Sequence, residues 1–270
     1  MRIYASTACV SAGFWETLGL YRSAGLSDVE LGTTTEPLGD RLVDRLRDQG
    51  LAYVVHNYFP PPAEPLVLNL SSPDGDVRAR SLRLVEEALT TAAALGSPLY
   101  SVHAGFVTDP VALDGAGFVF PDGGDVEAAK ERFRESIDLA LRHADRLGVE
   151  LIVENNVCTP ATQSALLLQT AEEFDELPGF GILLDTGHLA VSATTLGLDR
   201  LEAVRRLAPR IRAFHLHDND GSVDAHEPVA PGSWALEAVR LTAAETVTVE
   251  ARFGNVAALG DHVEWLRAEL

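Results

Sequence analysis

Residues 214–226 read FHLHDNDGSVDAH and set His215, His217 and His226 among Asp218, Asp220 and Asp224, in a chain with eight histidines in all. Asp218-Asn219-Asp220-Gly221 has the composition of a turn. That accounts for the aspartates but not for the histidines. Imidazole and carboxylate together suit a divalent ion such as Zn, Mn, Fe or Co. One loop does not define a site, but ligand-type residues recur. Glu30, His56, His103, Glu154, Asp185 with His188, His215 with His217, and Glu250 each follow a short apolar run. A lone His56 reads more readily as a satisfied core residue. Repetition of the pattern points to one shared centre.

The runs that must position these residues are RIYAST (2–7), DVELGT (28–33), AYVVHN (52–57), LYSVHAG (99–105), ELIVENN (150–156), FGILLDTGH (180–188), IRAFHLHD (211–218) and TVTVEAR (246–252). Several are nearly continuous in apolar residues, as parallel strands buried on both faces require. Amphipathic stretches lie between them. The clearest is 125–147, with Val126, Ala129, Phe133, Ile137, Ala140, Ala144 and Leu147 at three- and four-residue steps. Asp125 suits its N-cap and Gly148 its C-terminal stop, and residues 76–95 repeat the device up to Gly96. Eight strands alternating with eight helices predict an α/β fold, a (βα)8 TIM barrel forming a single domain over residues 1–270. All strands of such a barrel are parallel, so their C-terminal ends converge on one mouth, the face that carries active sites. Two longer loops flank it. Asn57–Pro73 carries four prolines ahead of position 73, and Phe106–Gly124 is glycine-rich with Phe106, Phe118 and Phe120. Both have the length of binding loops or of packed surface Ω-loops.

Composition narrows the function. A net charge of −19 argues against a protein that grips duplex nucleic acid through a basic face, and equally against anionic membranes. Cys9 and Cys158 provide neither a disulfide framework nor zinc-finger spacing. The opening MRIYASTACV lacks the apolar core of a signal peptide, and no apolar run approaches a membrane span. A soluble cytoplasmic protein is expected, and association with further copies of the chain stays open.

VEN at 153–155, LDTGH at 184–188, HLHDNDG with DAH across 215–226, and VTVE at 247–250 resemble the xylose isomerase-like barrel superfamily. That superfamily holds sugar isomerases and epimerases together with endonuclease IV. VHNY and SVHAG add weaker support, and the resemblance runs strand by strand over nearly the whole chain. Its sugar epimerases imply one divalent ion on Glu154, Asp185, His215 and Glu250, with His188 contacting substrate. Endonuclease IV implies three zinc ions on nine residues, here His56, His103, Glu154, Asp185, His188, His215, Asp224, His226 and Glu250. All nine types are present, but the surroundings differ. The Asn-Asp-Ser-Lys of endonuclease IV reads His217, Asp218, Asn219, Asp220 here, its DTCH reads DTGH, and no Arg or Lys lies between Asn57 and Gly75.

The resemblance therefore implies a divalent-metal-dependent isomerase or epimerase acting next to a carbonyl of a sugar, cyclitol or related small polyol. The metal (Mn, Zn, Co, Fe or Mg) would stabilise the developing charge while Glu154 and Glu250 move the proton as acid and base. His188, His56, His103, Glu30 and His217 are expected around the substrate. Trp234, after Pro231-Gly232-Ser233, suits stacking on a sugar ring or core packing. The alternatives are an endonuclease IV-like phosphodiesterase and a metal-assisted dehydratase or lyase on a sugar derivative. No nucleic acid and no membrane partner is expected.

Overall fold

The computed structural model describes residues 1–270 apart from Pro37, Gly115, Ala116, Asp122 and Pro178. Along it run β1 (Arg2–Ser6), α1 (Phe14–Ser23), β2 (Asp28–Leu31), α2 (Leu42–Arg47), β3 (Ala52–His56), α3 (Gly75–Leu95), β4 (Leu99–His103), β5 (Ala112–Asp114), β6 (Gly117–Val119), α4 (Val126–Leu147), β7 (Glu150–Glu154), α5 (Ala171–Glu176), β8 (Gly181–Asp185), α6 (Thr186–Leu196), α7 (Arg200–Leu207), β9 (Ile211–Leu216), α8 (Trp234–Arg240), β10 (Thr246–Val249) and α9 (Val256–Glu269). Eight strands close in the order β1-β10-β9-β8-β7-β4-β3-β2, with every neighbouring pair parallel. This is the TIM barrel that the alternation of runs predicts.

Strand periodicity divides the barrel interior into a floor and a mouth. Tyr4, Val54, Leu99, Ile152, Leu183 and Ala213 form one buried apolar cluster, separate from the larger core between strands and helices. Side chains two residues apart share a face of a strand. The next inward positions after Val54, Ile152, Leu183 and Ala213 are therefore His56, Glu154, Asp185 and His215. Apolar packing fills the bottom and the chemistry-bearing groups follow one step above it. Outside, α4 buries Ala129, Phe133, Ile137, Ala140 and Ala144. Asp125 accepts the amide of Ala128 as its N-cap, and Gly148, at φ 68°, ends it in the left-handed region that glycine tolerates best.

Three details differ from the sequence expectation. The strand expected over 180–188 stops at Asp185, because that carboxylate caps α6 by accepting the amide of His188 at 2.7 Å. The β8-to-β9 crossover holds two helices instead of one, since Gly197 closes α6 and Asp199 caps α7. The loop after β4 contains the antiparallel β5–β6 pair; Gly115 of that glycine-rich stretch lies outside the described residues. No helix among the described residues is long and apolar enough to cross a membrane.

Candidate metal centre

His215 sits at the middle of the mouth and is fully buried. Its Nε2 lies 2.9 Å from Glu30 Oε2, which also accepts from the Thr248 hydroxyl at 3.0 Å. A carboxylate can only accept, so Nε2 carries the proton and Nδ1 presents its lone pair. Around Nδ1 stand Glu250 Oε2 at 3.1 Å, Glu154 Oε1 at 3.5 Å and Asp185 Oδ2 at 3.7 Å. Asp185 is held by its neighbours on β7 and α6. Its amide donates to Asn155 Oδ1 at 2.7 Å, Asn155 Nδ2 donates to its carbonyl, and its Oδ1 caps His188. Asn155 is a support that sequence reasoning did not single out; its place inside the VEN run, next to Glu154, was the available signal.

These four groups fit a divalent ion. Glu154 Oε2 and His215 Nδ1 are buried without a hydrogen-bond partner, and acceptors that face each other with no donor between them require a cation. In the metal-free chain a proton serves that purpose. Burial alone would lower the pKa of His215, but Glu250, Glu30 and Glu154 outweigh it and hold it well above the ordinary histidine range. Burial would likewise raise Glu154, yet His103, His215 and His56 pull it below the usual carboxylate range. Glu250 is lowered too, His215 overcoming its burial, and Asp185 is held well below its ordinary value by His188 and His217 against burial. All three carboxylates are ionised at neutral pH.

Two further groups adjoin this centre. His56 Nε2 and His103 Nε2 lie 3.5 and 3.6 Å from Glu154 Oε2, and His56 Nδ1 pairs with Ser101 Oγ at 2.9 Å. On the other side Asp224 Oδ2 lies 3.1 Å from His226 Nε2 and 3.4 Å from His188 Nε2. The loop carrying them is closed by the Asp218–Glu227 bridge and shaped by Asn219 and Asp220, whose side-chain oxygens accept the amides of Gly221 and Ser222. The expected turn is there, and its function is to return Asp224 and His226 to the mouth.

A cavity of about 790 Å³ opens above these groups, lined by Tyr58, His103, Phe106, Phe120, His188 and Asp224 among others, with no Arg or Lys in its lining. The 57–73 loop both packs and lines: Phe59 and Leu70 are fully buried, while Tyr58 and Leu68 face the cavity. Of the expected substrate contacts, His103 and His188 line it. His56, Glu30, His217 and Trp234 do not. Glu30 is turned onto His215, and His217 is fully buried against Asp185. Trp234 opens α8 with the Arg200 guanidinium 4.7 Å above its ring and packs on the outer core, so core packing is the reading the structure supports.

The profile of the xylose isomerase-like TIM barrel family matches residues 18–268, and the chain belongs to that family. No curated protein sequence matches it. Among solved structures it is similar to a D-tagatose 3-epimerase-like protein, at 19% identity and TM-score 0.75 over 100% of this chain and 97% of that one. A Thermus thermophilus protein soaked with ZnCl2 is 23% identical with TM-score 0.65, covering 100% and 98%. Endonuclease IV of the same organism is 20% identical with TM-score 0.62, also over 100% and 98%. At these identities the likeness is one of fold.

Proposed function

We propose that the protein is a divalent-metal-dependent isomerase or epimerase that moves a proton at a carbon next to a carbonyl in a sugar, cyclitol or related small polyol. The observation that carries this reading is a pair of ionised glutamates, Glu154 and Glu250, within 3.5 Å of one imidazole nitrogen at the foot of a cavity without a cationic side chain in its lining. Residues fitted to hold the ion are Glu154, Asp185, His215 and Glu250. When bound, it would supply Lewis-acid stabilisation of negative charge developing on substrate oxygens.

The remaining work falls to the side chains. Glu154 and Glu250 come from different strands, β7 and the end of β10, and so approach a substrate carbon from different sides. One removes the proton and the other returns it. Glu250 retains 16% side-chain exposure against 1% for Glu154, which makes it the more accessible to a proton from solvent. His188 donates through Nδ1 to the Asn155 carbonyl at 2.8 Å, and this sets Nε2 beside Asp224 Oδ2 at the cavity wall, where the pair can meet a substrate hydroxyl. Phe106 and Phe120 pack together, 5.0 Å between ring centroids, and give the cavity an apolar wall.

The test is solvent-deuterium incorporation followed by NMR over ketoses, inososes and keto-sugars with Mn, Co, Zn or Mg supplied. Glu154→Gln and Glu250→Gln are each expected to slow exchange by about 10²- to 10⁴-fold, the usual worth of a general base, with the fold intact. Full turnover by Glu250→Gln would refute the mechanism. A second reading, a metal-dependent phosphodiesterase, is favoured by the extra His56–His103–Glu154 ligand group. Salt-sensitive binding and incision of an abasic duplex would promote it; a net charge of −19 offers little counterion release to drive such binding.

A further inference from the structure

His217 enters the centre described above only through Asp185 and Gly187 not at all, and each explains the other. Gly187 lies in the first turn of α6 and its φ is not positive, so its backbone does not need a glycine. The His217 ring does. A Cβ at position 187 would lie 1.9 Å from Cε1 and 2.4 Å from Nδ1 of that imidazole. The endonuclease IV pattern has Cys and Asn at these two positions, so the small residue and the large one replace them together.

The ring admitted in this way is fully buried, and its Nε2 lies 3.0 Å from Asp185 Oδ2. The ionised carboxylate accepts, so Nε2 carries a proton, and in the neutral ring Nδ1 is a free lone pair. That nitrogen has no hydrogen-bond partner. It faces Asp224 Oδ1, 3.7 Å away and equally without one. His226 donates through Nδ1 to the Glu250 carbonyl at 3.0 Å, which turns its Nε2 onto Asp224 Oδ2 at 3.1 Å. One ligand atom from each of His217, Asp224 and His226 lies within 4.8 Å of the others. With both imidazoles neutral these three groups offer acceptors alone, and a cation is what would satisfy them.

We propose that His217, Asp224 and His226 hold a second divalent cation behind the substrate cavity, and that Gly187 is the residue that admits its distinguishing ligand. The proposal rests on the reading that the mouth binds metal and deepens it. His188 and Asp224 line the cavity whereas His217 and His226 do not. His217 thus adds a ligand on the side away from the cavity, while His188 Nε2 stands 3.4 Å from Asp224 Oδ2 at the cavity wall. The Nε2–H of His217 ties the second ion to the first, because a carboxylate that orients a metal-bound imidazole is here itself the ligand Asp185. The rings of His217 and His226 lie face to face, 4.2 Å between centroids and 19° between planes. The half-buried His226 must turn out of this stack for both lone pairs to reach one ion.

The experiment is metal counting by mass spectrometry after equilibrium dialysis against Zn or Co, with Co absorption and histidine NMR as spectroscopic readouts. His217→Asn is expected to retain one ion fewer per chain than the wild type, and to hold the remaining ion about 10- to 100-fold more weakly because Asp185 loses its support. Gly187→Ala should show the same loss with His217 chemically intact. In the wild type, metal should shift the His226 ring resonances as the stack opens. Unchanged stoichiometry in folded His217→Asn overturns the inference and leaves the centre on Glu154 standing. Loss of every ion in His217→Asn also overturns it, since the histidine would then serve only Asp185. A wild type that takes up no metal defeats both readings. Should Gly187→Ala fail to fold, the Gly187→Ala/His217→Asn double variant, which removes the clash, is expected to fold and still lack the second ion.

Discussion

Protons hold the nitrogens of the mouth that the proposed metal would need. Burial would lower His188 and His215, but the surrounding carboxylates outweigh it, led by Asp185 for His188 and by Glu250 for His215, and hold both well above 6.5; Asp224 acts against burial on His226 in the same direction. Ligation needs the neutral imidazole, so ions must displace protons. Metal affinity is therefore expected to climb as pH rises from about 6.5 toward the raised values, with net proton release on binding. Calorimetric titration in buffers of different ionisation enthalpy measures it, and an affinity flat across that window would contradict the protonation scheme. The sign for metal-free stability follows the same groups. The histidines contribute below their unfolded value and lose the contribution as pH rises through the raised one. Glu154, Asp185, Asp224 and Glu250, all lowered, contribute above their unfolded values and lose it as pH falls through the depressed ones.

Among the elements, α4 shows how unequal the contributions to one helix are. Asp125 satisfies one terminal amide at an exposed position, whereas Phe133 is fully buried against Phe180, 5.9 Å between ring centroids. Asp125→Ala is expected to cost about 1 kcal/mol, and Phe133→Ala about 3–5 kcal/mol through the cavity it leaves. With about 2–4 °C per kcal/mol for a chain near this size, thermal denaturation resolves the two. Equal shifts would mean that the helix end, and not its packing, limits stability. Asp125, Gly148 and Gly96 were all readable in the sequence because caps depend on residues adjacent along the chain. The split of the β8-to-β9 crossover into α6 and α7 was missed, although Gly197 and Asp199 are its local signals.

For the molecule as a whole, the mouth concentrates carboxylates that protonated histidines or a bound cation must balance. Glu30, Glu154, Asp185, Asp224 and Glu250 crowd one end of a barrel with no Arg or Lys lining its cavity. An ion that binds the folded chain and not the unfolded one stabilises it by about 2.7 kcal/mol at a concentration a hundred times its dissociation constant. The Tm is therefore expected to rise with Zn or Mn and to fall back when a chelator is added. A Tm indifferent to both would count against any metal centre here.

The fold and the polar residues at the strand ends were legible because both rest on short-range periodicity. Apolar runs ending in Glu, His or Asp declare parallel strands, and two-residue spacing carries His56, Glu154, Asp185 and His215 from floor to mouth. What each polar residue then faces depends on side chains from distant strands, which no local pattern records. Glu30 looked like a substrate contact, yet a strand 185 residues away supplies the His215 nitrogen that claims it. Trp234 looked available for stacking, but the start of α7 brings Arg200 over its ring. His217 and Gly187 were visible only as departures from a pattern; packing of β9 against α6 decided that one exists to make room for the other. The sequence by itself determined the barrel and which residue types end its strands. Only the tertiary structure decided which of them meet, because burial makes each buried acceptor depend on the one donor or cation within reach.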